Sequence, residues 1–488
     1  MMKFISVIRG PQTCGAILGG NYFIYMKWLE INHDAPLDGT IKVQGSKNSS
    51  LALIVSSCLA GGNVMIENVP DISDIHVTSD LLRSTGAEVS YCDNTLTVDP
   101  SQICNSIIRP EDSQSVRIAY YFIGALLAKH KSVAVGYPGG DKIGPRPIDQ
   151  HIKGLRALGA EFTFYNDYYV AKADRLIGAD VYFDVITCGA TINIMLAATL
   201  AKGKTVIHNA ARDPEVVDVA VFLNKMGAYI TGAGTETIKI RGVDSLGGCV
   251  HPCIPDRIMS GAFLMAAGIT KGCVSLAGAE VNHLGACIDK LREIGLEIEH
   301  SGDKITAYYS GIQRAANIIT GMYPMFATDF QQPATVLLLN ANGRSSVTEL
   351  VYPHRFSHCN ELNLMGADIR LRHNTAYING VRELHGADVT ASDIRSGMAL
   401  ILAAFSAKGM SRIFGVEHIE RGFENMLASF QALGADIRIV ESLDTDGGDD
   451  SGLESSLSAV AGAGAGSAGA GSGTDYFTAA GLRGYMRI

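Results

Sequence analysis

LLRSTGAEV at residues 81–89 is the first of six copies of one pattern; the others are GLRALGAEF (154–162), FLNKMGAYI (222–230), KLREIGLEI (290–298), ELNLMGADI (361–369) and SFQALGADI (429–437). In each, a helix-like run ends in Gly-Ala, once Gly-Leu, and passes into alternating polar and apolar residues. The glycines Gly86, Gly159, Gly227, Gly295, Gly366 and Gly434 succeed one another at spacings of 73, 68, 68, 71 and 68 residues. A glycine that can take the left-handed conformation closes a helix at its C-terminal cap. The change of period from about 3.6 to 2 then announces a strand. The pattern predicts a helix handing over to a strand, six times.

Between copies lie helices of small residues such as TINIMLAATLAKG (191–203) and GMALILAAFSAKG (397–409), each ending in Lys-Gly and followed by a strand, KTVIHNA or MSRIFGV. Helices with apolar residues on nearly all faces belong in an interior rather than on a surface. Each unit reads as strand, helix, strand, helix, strand. The expected fold is therefore α/β, with six units of about 70 residues in two lobes of three, wrapped around internal helices. A period near 70 exceeds the 20 to 50 residues of common solenoids, which disfavours an open array.

At 488 residues the chain is longer than one hydrophobic core usually supports. With 47% apolar residues, 18% charged residues and a net charge of -9, it has the make-up of a soluble globular protein and no electrostatic footprint for nucleic acid or an acidic membrane. An anionic ligand must then be met by a local cluster of bases. The ten cysteines form no CxxC pair and no zinc-type spacing, so they read as reduced thiols, and neither a metal nor an organic cofactor is expected. Apolar runs stop well short of the roughly 20 residues of a membrane span, and Arg9, Gly10 and Pro11 interrupt any leader-like core. A cytoplasmic location is expected. Residues 1–25 precede a second plausible start at Met26, and residues 442–473 are acidic and then Gly/Ala/Ser-only, which predicts a flexible low-complexity tail over 442–488.

Against the repeated background, a few copies carry polar groups that their siblings lack. VQGSKNSSLAL sets Lys47 and Asn48 at a helix start, where a lysine and free backbone N–H groups suit a phosphate or carboxylate, or simply a solvated cap. Arg117 opens the apolar helix of SVRIAYYFIGALLA. GYPGGDKIGPRPIDQH (136–151) joins glycines and prolines to Asp141, Lys142, Arg146, Asp149 and His151, which makes it either a lid or a charged surface turn. CIPDRIMSG (Asp256, Arg257), FATDFQQPA (Asp329), ASDIRSGMA (Asp393, Arg395) and EHIERGFEN (His418, Arg421) gather acids and bases in the second half, three of the four placing one directly before a buried-type helix. Ion pairs between lobes account for one or two of these. Convergence of bases on an anion across a cleft accounts for the recurrence.

In their order and spacing, GSKNSSLAL, PGGDKIGPRPIDQHIKGL, CGATINIMLAATLAKGKTVIHNAARDPEVVD, IPDRIMSGAFL, TDFQQPA and HIERGFEN resemble the UDP-N-acetylglucosamine enolpyruvyl transferases, over about residues 27–441. The resemblance implies an inside-out α/β barrel of two lobes. One would be 47–254, with a mobile loop near 137–147, and the other 26–46 plus 255–441. It implies two small-molecule substrates, phosphoenolpyruvate and UDP-N-acetylglucosamine, and the first committed step of peptidoglycan synthesis. Lys47, Asn48, Arg146, Arg395 and Arg421 would grip phosphoenolpyruvate, with Lys47 and Arg421 also serving the chemistry. Asn48, Arg117, the strip Arg146, Pro147, Ile148, Asp149, Gln150 and His151, the turn Val185, Ile186, Thr187, Cys188 and Gly189, then Asp329 and Val351 would hold the nucleotide sugar. Asp329 would be the base.

The family commonly has cysteine in its Pro-Gly-Gly-Cys loop; this chain has Asp141. A carboxylic acid can donate the same proton, so Asp141 is expected to be the acid and the protein to resist thiol-directed epoxides such as fosfomycin. Val185 and His76 stand where some members have a lysine and an acid, and DFQQPA differs from the usual Asp-Met-Gln stretch. Two other readings remain open: transfer to another uridine nucleotide, and a non-catalytic nucleotide-sugar-binding paralogue.

Overall fold

The computed structural model describes residues 7–9, 14–18, 21–32, 35–139, 143–144, 147–381 and 383–445. Two compact units result, Lys27–Glu441 and the two chain ends together. In the terminal unit, Val7–Arg9 pairs antiparallel with Cys14–Leu18, which pairs in turn with the beginning of Asn21–Ile31. Beyond Thr445 the tail expected to be flexible lies outside the described residues.

Within Lys27–Glu441, longer helices of two kinds alternate. They are α1 Lys47–Ser56, α2 Ser73–Ser84, α3 Tyr121–Lys129, α4 Asp149–Ala157, α5 Cys188–Thr199, α6 Pro214–Lys225, α7 Arg257–Ile269, α8 Gly285–Ile294, α9 Gln331–Leu339, α10 Ser357–Leu364, α11 Ile394–Ala404 and α12 Met426–Ala432. The odd-numbered helices are the small-residue, apolar ones. Every residue of α7, α9 and α11 is buried, and in α1 only Asn48 escapes. The even-numbered helices carry a mixed face, and each has one of the six repeat glycines within two residues of its end. Those glycines have φ between +87° and +113°, the left-handed cap that the repeat predicts.

After the glycine, the chain forms more than the single strand expected. In five of the six copies it makes an antiparallel pair, as where Glu88–Cys92 returns through Asp93 and Asn94 into Thr95–Asp99. Both turn residues have positive φ, 46° and 56°, the geometry that matches the twist of a two-residue hairpin. Each pair is extended into a four-stranded sheet by one more antiparallel and one parallel strand. Thr95–Asp99 pairs with Val64–Glu67, and that strand with Cys249–Pro252.

Two separate hydrophobic clusters form. One gathers residues from Leu51 to Cys253 around α1, α3 and α5. The other gathers Leu29 to Val43 and Ile258 to Ile437 around α7, α9 and α11. The chain passes between them twice, at 43–46 and 253–256. These two segments are bound to each other, with the Ser46 N–H donating to Ile254 O at 2.7 Å and the Asp256 N–H to Gln44 O at 2.9 Å. They also bring the starts of α1 and α7 together.

Candidate active site

The helix starts decide where the charged side chains meet. Ser46 caps α1 by accepting from the Ser49 N–H, which leaves Lys47 as the first helical residue, only 7% exposed. Its Nζ lies 2.7 Å from Asp74 Oδ2, in the first turn of α2, and Arg421 Nε lies 2.9 Å from the other oxygen, Asp74 Oδ1. One buried carboxylate thus links two cations from opposite ends of the chain. Burial pulls the Lys47 pKa down, Asp74 pushes it back, and the positive charges of Arg395 and Arg421 lower it further. Three cations thus gather at this end of the site, Lys47 and Arg421 on Asp74 and Arg395 nearby, and clustered cations suit a small polyanion.

Asp393 caps α11 through a capping box and so sets Arg395 in its first turn. Arg395 Nε is 3.2 Å from Asp329 Oδ2, and Arg355 Nη1 is 2.6 Å from Asp329 Oδ1. Burial would raise the Asp329 pKa, but the charges of Arg355 and Arg395, the Arg355 hydrogen bond and the charge of Arg117 outweigh it. The carboxyl is held well below the usual carboxylate range. Thr328, beside it, donates to Glu349, a fully buried carboxylate that also receives the Thr320 hydroxyl and the N–H groups of Val351 and Tyr352. Glu349 thereby ties the turn carrying Asp329 to the loop carrying Val351.

On the opposite side, Thr187 caps α5 by accepting from the Ala190 N–H, so that Cys188 and Gly189 begin the helix. Gly189 has to be small: a Cβ there would stand 3.0 Å from Tyr120 Oη and 3.2 Å from His151 Nε2. Asn193 receives the Gly124 N–H on its carbonyl oxygen and therefore turns its NH2 toward His151 Nδ1 at 2.9 Å. That leaves Nδ1 the acceptor and Nε2 the protonated, donating nitrogen. Burial holds this ring neutral, with its pKa pulled down to about 3.

Lys47, Asp74 and Arg421, Arg395 with Asp329 and Arg355, and the start of α5 with His151 line one cavity of about 580 Å³. Of the site residues expected from sequence, Lys47, Asn48, Arg117, Asp329, Arg395 and Arg421 lie on it, as do Pro147, Ile148, His151, Ile186, Thr187, Cys188, Gly189 and Val351. Asp149, Gln150 and Val185 are not in its lining. Gln150 is turned aside, bonded to Asp149 and to both the side chain and the backbone of Asp184, and Val185 is 59% exposed. Asp141 and Arg146 lie outside the described residues, although Ile143 and Gly144 of the same loop reach the cavity. Sequence reasoning missed Asp74, Arg355 and Glu349. It also missed the acids Asp213 and Glu215, which bind Arg257 at 3.3 and 3.1 Å. The DPE stretch opening α6 was the available signal for the last two.

Comparison with known proteins bears on the family and the fold. A family model described as EPSP synthase (3-phosphoshikimate 1-carboxyvinyltransferase) matches residues 31–430. A UDP-N-acetylglucosamine 1-carboxyvinyltransferase 2 of Listeria monocytogenes is 45% identical over 409 residues, 84% of this chain and 97% of the relative. A UDP-N-acetylglucosamine 1-carboxyvinyltransferase of Clostridium botulinum is 44% identical over 414 residues, 84% of this chain and 99% of its own. Among solved structures, the enolpyruvyl transferase NikO from Streptomyces tendae superposes with a TM-score of 0.78 at 24% identity, covering 85% of this chain and 99% of that one. EPSP synthase from Acinetobacter baumannii does so with a TM-score of 0.64 at 17% identity, over 85% of this chain and 100% of its own. At such identities the structural likeness speaks to the fold alone.

Proposed function

The chain belongs to the EPSP synthase (3-phosphoshikimate 1-carboxyvinyltransferase) family, and on that premise we propose that it transfers the enolpyruvyl group of phosphoenolpyruvate to the 3-hydroxyl of UDP-N-acetylglucosamine, releasing phosphate. This is the first committed step of peptidoglycan synthesis. The observation that carries the reading is the pair Lys47 and Arg421 on one carboxylate, with Arg395 beside them, facing Asp329 in a single cavity. The acceptor is the one that the 44–45% identical relatives are named for.

In this reading Lys47, Arg395 and Arg421, with Arg146 from the loop, bind the phosphate and carboxylate of the donor. The protonated Nε2 of His151, the N–H groups at the start of α5 and Arg117 take the diphosphate and uridine. A proton from Asp141 adds to the methylene carbon of phosphoenolpyruvate and leaves its central carbon electron-poor. The sugar 3-oxygen bonds to that carbon and yields its proton to Asp329. Loss of a proton from the new methyl group, with departure of phosphate, restores the double bond. Asp329 is a weak base while Arg355 and Arg395 hold it, and it becomes a stronger one as those cations turn toward the phosphate.

The two hydrophobic clusters support two lobes, 47–254 and 26–46 plus 255–441, each of three units, closing over the cavity in an inside-out barrel. The nine cysteines from Cys58 to Cys359 are free thiols, which suits a reducing cytoplasm. The deciding assay is phosphate release from phosphoenolpyruvate with UDP-N-acetylglucosamine. Release only with another uridine nucleotide changes the acceptor, and binding without release makes the chain a non-catalytic binder. Asp141→Asn is expected to abolish release while nucleotide binding persists, and the unaltered protein to resist fosfomycin. Rapid time-dependent inactivation by fosfomycin would overturn the acid role of Asp141.

A further inference from the structure

We infer that Gln44 is a positioning residue for the donor site, its carboxamide fixing the loop that carries Arg421 against the segment that carries Lys47. The inference rests on the reading above that Lys47 and Arg421 bind phosphoenolpyruvate, and it adds what holds the two cations in register.

Gln44 lies in the first crossover, three residues before Lys47, and is 8% exposed. Its Oε1 accepts the Glu424 N–H at 2.8 Å and its Nε2 donates to the Gly422 C=O at 3.3 Å. The side chain thus meets the 422–424 backbone with one acceptor and one donor, much as a neighbouring strand would. The reversed amide would set N against N–H and O against C=O, so only one orientation fits. The main chain of the same residue is held from the other side. Its carbonyl accepts the Asp256 N–H at 2.9 Å, and the Asp256 carboxylate receives the Lys47 N–H at 3.2 Å while capping α7. Gln44 therefore reaches from a fixed segment to a loop.

That loop has little room. A Cβ on Gly422 would stand 2.5 Å from Ile394 Cγ2. Ile394 opens α11, immediately before Arg395. Residues 422–424 are trapped between the Gln44 carboxamide and the start of that helix. Arg421 is the next residue toward the N-terminus, and its guanidinium acts at the end of a long side chain. A small rotation of the loop moves that end most, and a displacement of about 1 Å at a binding group can cost on the order of a hundredfold in rate. Without the carboxamide, Gly422 C=O and Glu424 N–H would lose their described partner at a largely buried position, and the loop would turn to satisfy them.

The test uses Gln44→Met, which keeps the length of the side chain and removes both hydrogen bonds, and Gln44→Asn, which keeps the amide but is one methylene too short to span both groups. The phosphoenolpyruvate dissociation constant is measured by calorimetry, and KM is measured for each substrate. Each variant is expected to weaken donor binding about tenfold, the order of two lost hydrogen bonds, with the acceptor KM within about twofold of the original. In an Arg421→Lys background, Gln44→Met should add little further loss, because its effect runs through Arg421. Equal rises in both KM values, an unchanged donor dissociation constant in a folded variant, or effects that multiply in the double variant would each overturn the inference. If the unaltered protein binds phosphoenolpyruvate but releases no phosphate with UDP-N-acetylglucosamine, the acceptor reading fails and the donor constants still test Gln44. If it binds no phosphoenolpyruvate, both fall.

Discussion

Asp329 is burdened with two jobs that pull its acidity in opposite directions. As a proposed base it should take a proton, yet Arg355 and Arg395 hold its carboxyl far down. A depressed carboxyl is protonated only below its folded pKa, so its ionised form is present throughout the neutral and mildly acidic range. Asp329→Asn is expected to lower phosphate release by a factor of about a hundred or more, the scale of a lost general base. The pH profile of kcat/KM, which reports the free protein, should show no limb above about pH 4 that Asp329→Asn removes; such a limb would show that the arginines do not control the carboxyl before substrate binds. Lys47, Asp329 and Arg395 were legible as candidates because each stands at a helix start in a polar cluster, and Arg421, which follows the short helix Val416–Glu420, because it lies in a cluster of charges. Asp74 was not. It sits in an otherwise ordinary outer helix, and its role arises from Lys47 and from Arg421, 347 positions away.

At the scale of elements, the helix-ending glycines are where sequence and structure speak most directly to each other, since all six adopt the left-handed conformation. Their surroundings differ, which separates two energetic costs. A Cβ on Gly227 would meet nothing within 4 Å, whereas one on Gly86 would stand 2.4 Å from Gln102 O. Gly227→Ala should therefore cost only the backbone strain, roughly 1–2 kcal/mol, and Gly86→Ala should cost clearly more. Urea unfolding of the two variants side by side is the measurement, and equal losses would mean that the strain dominates at both. The hairpins were less legible than the caps. Alternation of polar and apolar residues runs alike through one strand or two, and the turn Asp93-Asn94 is a weaker mark than Asn-Gly or Asp-Gly. The small-residue helices were read correctly as interior because no face of them is polar.

For the molecule as a whole, two cores mean two places in which titratable groups are shut away. His151 belongs to the first and His358, 1% exposed, lies among the residues of the second. Burial holds both neutral, with pKa values pulled down to about 3, and the Arg355 charge adds to the effect at His358. An unfolded histidine titrates near 6.5. Between about pH 6.5 and 3 the unfolded chain therefore binds protons that the folded one refuses, so stability falls as pH drops through that window and is unaffected by these groups above it. The thermal midpoint should be level from about pH 7 to 8 and decline below 6.5, and His358→Gln should shrink the difference between pH 5 and pH 7.5. An unchanged difference would exclude His358 as a source. That the chain builds two hydrophobic clusters rather than one was legible from its length and from the spacing of the repeat. The points at which the chain passes between them came only from the family resemblance, because the contact between Gln44 and Asp256 leaves no local pattern.

That double crossing also orders events at the ribosome. The strand Asp38–Lys42 is made early, yet its parallel partner is Cys273–Ala277, with Ile41 opposite Leu276. At 5 to 20 residues per second the early strand waits roughly 10–50 s for the other to be made. In that interval residues 47–254 can condense around α1, α3 and α5, closed by the pairing of Cys249–Pro252 with Val64–Glu67. One half of the molecule can thus finish folding during synthesis while the strand that precedes it in the chain remains unpaired, exposed to whatever else in the cell binds a bare strand edge.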